Sequence, residues 1–198
     1  RRMAPKSPDH RQTFRTLHES GCFVMPNPWD VGTARVLAQI GFPAIATTSS
    51  GLAWSLGQQD NSVSLAETVH HLKTIAQSVD VPVNADFESG FAIMPVDVAN
   101  NVSAAVTTGV AGLSLEDSTG DEANPLFDFQ LSVDRIRGAR SAIDASGTGV
   151  VLTARSEGFI VGRPDLRETI RRLTAYAEGA ADCLYAPGLR TMAGIVSV

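Results

Sequence analysis

Short apolar runs alternate with longer amphipathic stretches along the whole chain. The runs at 22–26, 44–47, 81–86, 111–115, 150–154 and 182–185 are rich in Val, Ala, Ile and Leu and have strand length. Between them, helical periodicity predicts helices over 9–20, 30–40, 64–79, 95–108, 129–145 and 165–178, with another beginning at 190. The punctuation agrees. Asp30 stands at an N-cap and Gly41 just past the helix it opens; Ser64 and Glu67 have capping-box spacing; Gly21 and Gly109 act as stops. A long polar loop, 118–129, interrupts the alternation.

Repeated strand–helix units with apolar strands imply a parallel sheet covered on both faces, the α/β class. Two closures compete. A complete doubly wound domain suits the length, but no G-x-G-x-x-G follows the first strand. A (β/α)8 TIM-type barrel ordinarily needs ~250 residues, and only about six βα units are visible here, the last helix stopping in mid-course. Polar residues at nearly every strand end favour the barrel, where all strand ends serve one site. We therefore expect one barrel domain over 1–198, incomplete at its C-terminal side.

The chemistry sits at those strand ends. The run Val81-Pro-Val-Asn-Ala-Asp86-Phe-Glu88-Ser-Gly90 ends in acids, as does Ala111-Gly-Leu-Ser-Leu-Glu116-Asp117. Period-two alternation puts Asn84, Asp86 and Glu88 on one face, and Ser114 and Glu116 on one face of the next strand. Acids converging at parallel strand ends form an oxygen-lined cup suited to Mg2+; the plainer alternative is exposed loop acids or helix caps. Thr153, Arg155 and Glu157 share a face at the next strand end, where an inward arginine needs an anionic partner, either a neighbouring acid such as Glu157 or Glu116 or a substrate carboxylate. The turn Ser50-Gly51-Leu52 follows the second strand and allows close approach of backbone amides to an anion, although Ser/Gly turns are common. Asp60 is either a residue near the metal or a turn former. Tyr185, at the last strand end, contacts substrate or packs. His10, His18, His70 and His71 read as surface or satisfied side chains.

With 198 residues, 43% apolar, and a formal net charge of −5, the chain suits one globular domain and carries no basic stripe for nucleic acid. No apolar run approaches the ~20 residues of a membrane span. The opening Arg1-Arg-Met-Ala-Pro-Lys6 has no apolar signal segment and reads as a frayed end. Cys22 and Cys183 lie far apart in apolar segments, which predicts buried free thiols and a cytoplasmic setting.

Taken together, these residues resemble the isocitrate lyase/phosphoenolpyruvate mutase superfamily. Asn84-Ala-Asp86-Phe-Glu88-Ser-Gly90-Phe91 is similar to its acidic metal segment, with Glu88 where an aspartate is usual. Ser50-Gly51-Leu52 resembles the turn that holds the substrate carboxylate, Asp60 the aspartate near the metal, Glu116-Asp117 the Glu-Asp pair, and Arg155 the substrate-binding arginine. The resemblance implies a Mg2+-dependent lyase-class enzyme acting on a small 2-oxo or 2-hydroxy carboxylate through an enolate. In that reading Asp86, Glu88, Glu116 and Asp60 serve the metal, Ser50, Gly51, Leu52 and Arg155 the substrate, and Arg155 and Glu116 the catalysis. It also implies a homotetramer. One departure narrows the chemistry: the loop Ser118-Thr-Gly-Asp-Glu-Ala-Asn-Pro-Leu-Phe-Asp128 has no cysteine, lysine or histidine, whereas the lyase branch carries a catalytic cysteine there. Oxaloacetate-decarboxylase-like cleavage is therefore expected ahead of isocitrate cleavage. The alternatives are a phosphonopyruvate-type P–C mutase or hydrolase, to which Asn124 loosely corresponds, and a non-catalytic 2-oxo-acid-binding barrel. The loop itself is expected to act as a lid hinged at Gly120 and anchored by Leu126, Phe127 and Phe129.

Overall fold

The computed structural model describes residues 9–198; the opening Arg1–Lys6 stretch lies outside them. In chain order the elements are α1 (His10–Leu17), α2 (Val31–Ile40), β1 (Ile45–Ala46), α3 (Ser49–Ser55), α4 (Leu65–Ala76), β2 (Val83–Asp86), α5 (Pro95–Val106), β3 (Gly112–Glu116), α6 (Phe129–Ser146), β4 (Val151–Arg155), α7 (Leu166–Glu178), β5 (Cys183–Tyr185) and α8 (Met192–Val196). The five strands form one parallel sheet in the order β1-β2-β3-β4-β5. Consecutive parallel neighbours joined by helices are the wall of a (β/α) barrel.

Alternation along the strands sorts the core into two parts. Ile45, Val83, Ala85, Leu113, Leu115, Leu152 and Ala154 face outward and pack with residues of α4, α5, α6 and α7. Ala44, Ala111 and Val151 face inward, where the fully buried Phe14 of α1 packs against them. This plugs the N-terminal end of the sheet. Asp182 ties the plug down through Arg15 of α1 at 3.0 Å and Arg140 of α6 at 2.9 Å.

The caps are those the sequence implies. Asp30 and Thr33 form a capping box, as do Ser64 and Glu67, and Gly41 ends α2 in the left-handed region at φ 104°. Two elements differ. The expected strand at 22–26 is not one, so the sheet has five strands rather than six. The Ala46 amide does reach the Pro26 carbonyl at 3.0 Å, but the Ala46 carbonyl is taken by the Asn27 side-chain amide at 3.0 Å, so no ladder continues. The expected turn at 50–52 is instead inside α3, which Thr48 caps by accepting the Gly51 amide. Cys22 is exposed, not buried; Cys183 is half-buried, and both are free. Among the described residues no helix is long and apolar enough to cross a membrane.

Candidate active site

The C-terminal ends of β2, β3 and β4 bring three predicted residues together by register. Asp86 pairs with Ser114 across β2 and β3, and Glu116 pairs with Arg155 across β3 and β4. Because these strands are parallel, their inward positions open onto the same end of the sheet. Arg155 lies at the centre: its guanidinium is 3.6 Å from Asp86 and 3.5 Å from Glu116, and it is bound by Glu157 through Nε and, at 3.1 Å, Nη2. Its Nη1 has only the long contact to Asp86 and so retains donor capacity toward the cavity. The Tyr185 ring lies 5.6 Å from the guanidinium carbon.

Asp86 is held from the other side by Ser49, whose amide and hydroxyl donate to it at 2.9 and 3.0 Å. The Asp86 amide in turn donates to Thr47 Oγ1 at 2.9 Å. These two residues were not singled out in the sequence, although the Thr47-Thr-Ser-Ser50 run was visible. Ser50 lines the cavity and hydrogen-bonds Thr48. Gly51 and Leu52 do not offer free amides: that of Gly51 caps α3, and that of Leu52 donates to the Thr48 carbonyl inside the helix. The Leu52 side chain packs with Ala53 and Val63. Gly51 is required for another reason. A Cβ there would lie 2.4 Å from the Trp29 ring.

Glu88 approaches Asp86 by a turn rather than by strand pleat, and neither it nor Glu116 is among the residues that line the cavity. β2 ends at Asp86, and Glu88 has φ 48°. Burial raises its carboxyl to about 7, with the charges of Asp86 and Asp60 adding to the effect. Asp60 is an exposed residue on the rim of the same cavity. Burial raises Glu116 to about 8; Arg155 opposes this, but Glu157, Asp86 and Glu88 push in the same direction as burial. Burial also raises Glu157, against its hydrogen bond to Arg155. For Arg155 burial favours the neutral form, yet the Glu157 hydrogen bond and the surrounding carboxylates outweigh it and hold the proton more firmly. One guanidinium does not neutralise this many acids.

The sequence neighbours Glu116 and Asp117 serve different layers. Asp117 is 2% exposed and turns away from the cavity, accepting from the Glu157 amide at 2.8 Å, Tyr176 Oη at 2.7 Å and Arg172 Nη1 at 3.2 Å. It anchors the segment that carries Glu157, and through Glu157 it orients Arg155.

The cavity over these strand ends measures about 480 Å³ and is lined by Ser49, Ser50, Asp86, Ser114, Thr153 and Arg155, among others. That volume suits a small ligand. The donors that could serve a cation are all carboxylates, which match a hard ion such as Mg2+, and their surplus negative charge is what such an ion offsets. Among the described residues no three acidic, histidine or cysteine side chains form a ready-made metal cluster. Mg2+ needs only one or two protein carboxylates and keeps several waters, so the donor set fits it.

The 118–129 loop is a compact antiparallel turn that follows Glu116-Asp117 and does not line the cavity. Ser118 bridges Leu126, the Thr119 amide donates to the Pro125 carbonyl at 3.0 Å, and the Phe127 amide to the Asp117 carbonyl at 2.9 Å. Phe127 is 8% exposed with Arg135 over its ring, and Phe129 lies beneath Arg171. His70 is exposed, His71 is half-buried on α4, where burial lowers its pKa, and His18 lines the cavity. His18 stacks edge-on against Phe14 and Phe23 near the plugged end.

Residues 14–198 match the family model described as phosphoenolpyruvate phosphomutase. An uncharacterized protein of Mycobacterium tuberculosis H37Rv is 30% identical over 88% of this chain and 65% of its own length. The 2-methylisocitrate lyase of Escherichia coli K12 is 30% identical over 80% and 55%, and the oxaloacetate decarboxylase of Bradyrhizobium diazoefficiens 25% over 95% and 66%. The chain thus spans about half to two thirds of these relatives. Among solved structures, a Burkholderia cenocepacia J2315 protein designated a lyase/mutase superposes with a TM-score of 0.93 at 44% identity, covering 96% of this chain and 69% of that one. Phosphonopyruvate hydrolase in complex with oxalate and Mg++ superposes at 0.86 with 26% identity, covering 95% and 66%.

Proposed function

This chain belongs to the phosphoenolpyruvate phosphomutase family, within the isocitrate lyase/PEP mutase superfamily, and from that premise we propose that it is a Mg2+-dependent lyase-class enzyme cleaving a C–C bond of a small 2-oxo carboxylate, with oxaloacetate decarboxylation as the favoured reaction. The observation that carries this reading is the position of Arg155 among Asp86, Glu116 and Glu157 over a cavity of about 480 Å³.

Asp86 would hold the metal, with Glu88, Glu116 and, at the rim, Asp60 acting on it through its retained waters. Bound there, Mg2+ polarises a 2-oxo group and offsets charge that develops on its oxygen. Arg155 binds the substrate carboxylate through donors that Glu157 leaves free, and its fixed charge stabilises the enolate oxygen as CO2 departs. Glu157 and Asp117 keep the guanidinium oriented. Ser49 holds Asp86 so that Arg155 is not drawn fully onto it. Because the 118–128 loop has no cysteine, lysine or histidine, it lacks the cysteine that the lyase branch uses; decarboxylation asks less, since loss of CO2 leaves the enolate directly and water can supply the proton that completes pyruvate. A phosphonopyruvate-directed relative in the same fold makes P–C chemistry the second reading.

The test is turnover of oxaloacetate with Mg2+, measured as pyruvate formed above the metal-only rate. Wild type should turn over and Asp86→Ala should not. Phosphate release from phosphonopyruvate would favour the second reading. Binding of oxalate without turnover of either compound would leave a binding protein. We further propose a homotetramer, supported by the exposed Ile93, Met94 and Val96 side chains beside α5; light scattering at the monomer mass would overturn it.

A further inference from the structure

The turn that carries Glu88 is strained. Glu88 and Phe91 both have positive φ, 48° and 57°, and Gly90 between them is at 79°. Non-glycine residues in this region persist only where surroundings over-determine them. The surroundings here are specific. Arg135 of α6 is 1% exposed and donates to three carbonyls of the turn, those of Ser89, Ala92 and, at 2.7 Å, Ile93. Asn101 of α5 donates to the Gly90 carbonyl at 2.9 Å. The Glu116 amide donates to the Glu88 carbonyl at 3.0 Å, which joins the turn to β3.

Arg135 reaches the turn because α6 presses against the start of α5. A Cβ on Gly138, nearly one helical turn along α6, would lie 2.6 Å from the Pro95 carbonyl oxygen, so only glycine permits this approach. The other face of the same guanidinium lies over Phe127, 3.9 Å from the ring centroid. Phe127 is the inner anchor of the 118–129 loop, and its carbonyl is held by Arg172 at 3.1 Å. A single buried cation therefore touches both the acidic turn and the loop that follows Glu116-Asp117.

We propose that Arg135 is a positioning residue that couples the Glu88 turn to the 118–127 loop, so that the two order and open together. It touches no reacting group. By holding three carbonyls it keeps Glu88 in its left-handed conformation; by stacking on Phe127 it transmits loosening of the loop to the turn. Because coupling is reciprocal, occupancy of the acidic site should order the loop, and loosening the loop should weaken the acidic site. The metal arm of this inference rests on the proposed function; the coupling itself does not.

The test is amide hydrogen exchange on metal-free protein. The reporters are the amides of Gly90 and Glu116 for the turn and of Thr119 and residue 127 for the loop. Arg135→Lys keeps the charge and loses the fork; all four amides should exchange at least about tenfold faster while Leu173 in α7 is unchanged. Phe127→Leu removes only the stack and stands in if the arginine variant does not fold. It should speed Gly90 and Glu116 as well as the loop amides. Acceleration confined to the loop in Phe127→Leu would overturn the coupling, as would uniform acceleration throughout the chain in both variants. In a second arm, Mg2+ alone should slow exchange at Thr119 in wild type, and the calorimetric Kd for Mg2+ should rise about five- to tenfold in Phe127→Leu. Absence of Mg2+ binding to wild type would refute the proposed function and leave the exchange result to decide the coupling.

Discussion

Glu116 and Arg155 are register partners on adjacent parallel strands, and their side chains meet at 3.5 Å where β3 and β4 end. The pair places an acid with a raised pKa beside a fixed cation, and the cation lines the cavity. Arg155→Lys retains the charge but not the fork that Glu157 and a substrate carboxylate share. Oxalate binding should weaken by about 1–3 kcal/mol, roughly five- to 150-fold. Calorimetry with unchanged oxalate affinity would make Arg155 a purely structural partner of Glu157.

Stability should depend on pH through Glu88 and Glu116. Their carboxyls titrate near 4.5 in an open chain and at about 7 and about 8 in the fold. Between those values the folded protein holds protons that the unfolded chain has released, so unfolding free energy falls as pH rises through this window. Metal-free protein should therefore show a urea midpoint that declines from about pH 5 to pH 8. Mg2+ favours the charged carboxylates and should flatten the decline, as should Glu116→Gln. A midpoint that rises over this range would contradict the assignment.

Asp182 acts in the opposite direction and a lower window. Burial raises its pKa, but the Leu152 amide, Arg15 and Arg140 outweigh burial and hold it below its ordinary 3.8. Its contribution is present above that value and is lost as pH falls through the lower folded pKa. Asp182→Asn should cost about 1–3 kcal/mol at pH 7, and the difference from wild type should shrink in strong acid, as read by thermal unfolding.

Asp117 is the buried acceptor for Tyr176, Arg172 and the Glu157 amide. Tyr176→Phe removes one donor and should cost about 1–2 kcal/mol. Asp117→Ala leaves the Arg172 charge short of a partner and should cost about 3–5 kcal/mol. In oxalate titrations only the Asp117 variant should also lose affinity, because its carboxylate holds the segment bearing Glu157. Equal oxalate affinity in both would separate Asp117 from the site.

Helix boundaries, strand identities and the acids at strand ends could be read along the chain because each depends on neighbours in sequence. Asp30 with Thr33 and Ser64 with Glu67 cap within three residues, and period-two alternation assigned Leu113 and Leu115 to one face, Ser114 and Glu116 to the other. Local pattern also marked Asp86, Glu116 and Arg155, and parallel register then brought both acids to the Arg155 guanidinium. Composition misleads at 22–26: Pro28 has no N–H to give the Ala46 carbonyl, and the Asn27 side chain takes it instead. The Ser50-Gly51-Leu52 segment looks like an anion-binding turn, yet Thr48 caps it into a helix and Trp29 fills the space Gly51 leaves. Glu88 continues the alternation on paper, but β2 stops at Asp86 and a strained turn carries Glu88 toward Asp86. Arg135 is the plainest case: one charge in an amphipathic helix carries no sign that three carbonyls 42 to 46 residues away will need it. Side-chain periodicity is local and is written in the chain; which buried donor meets which carbonyl depends on how α5 and α6 pack, and only the tertiary structure decides that.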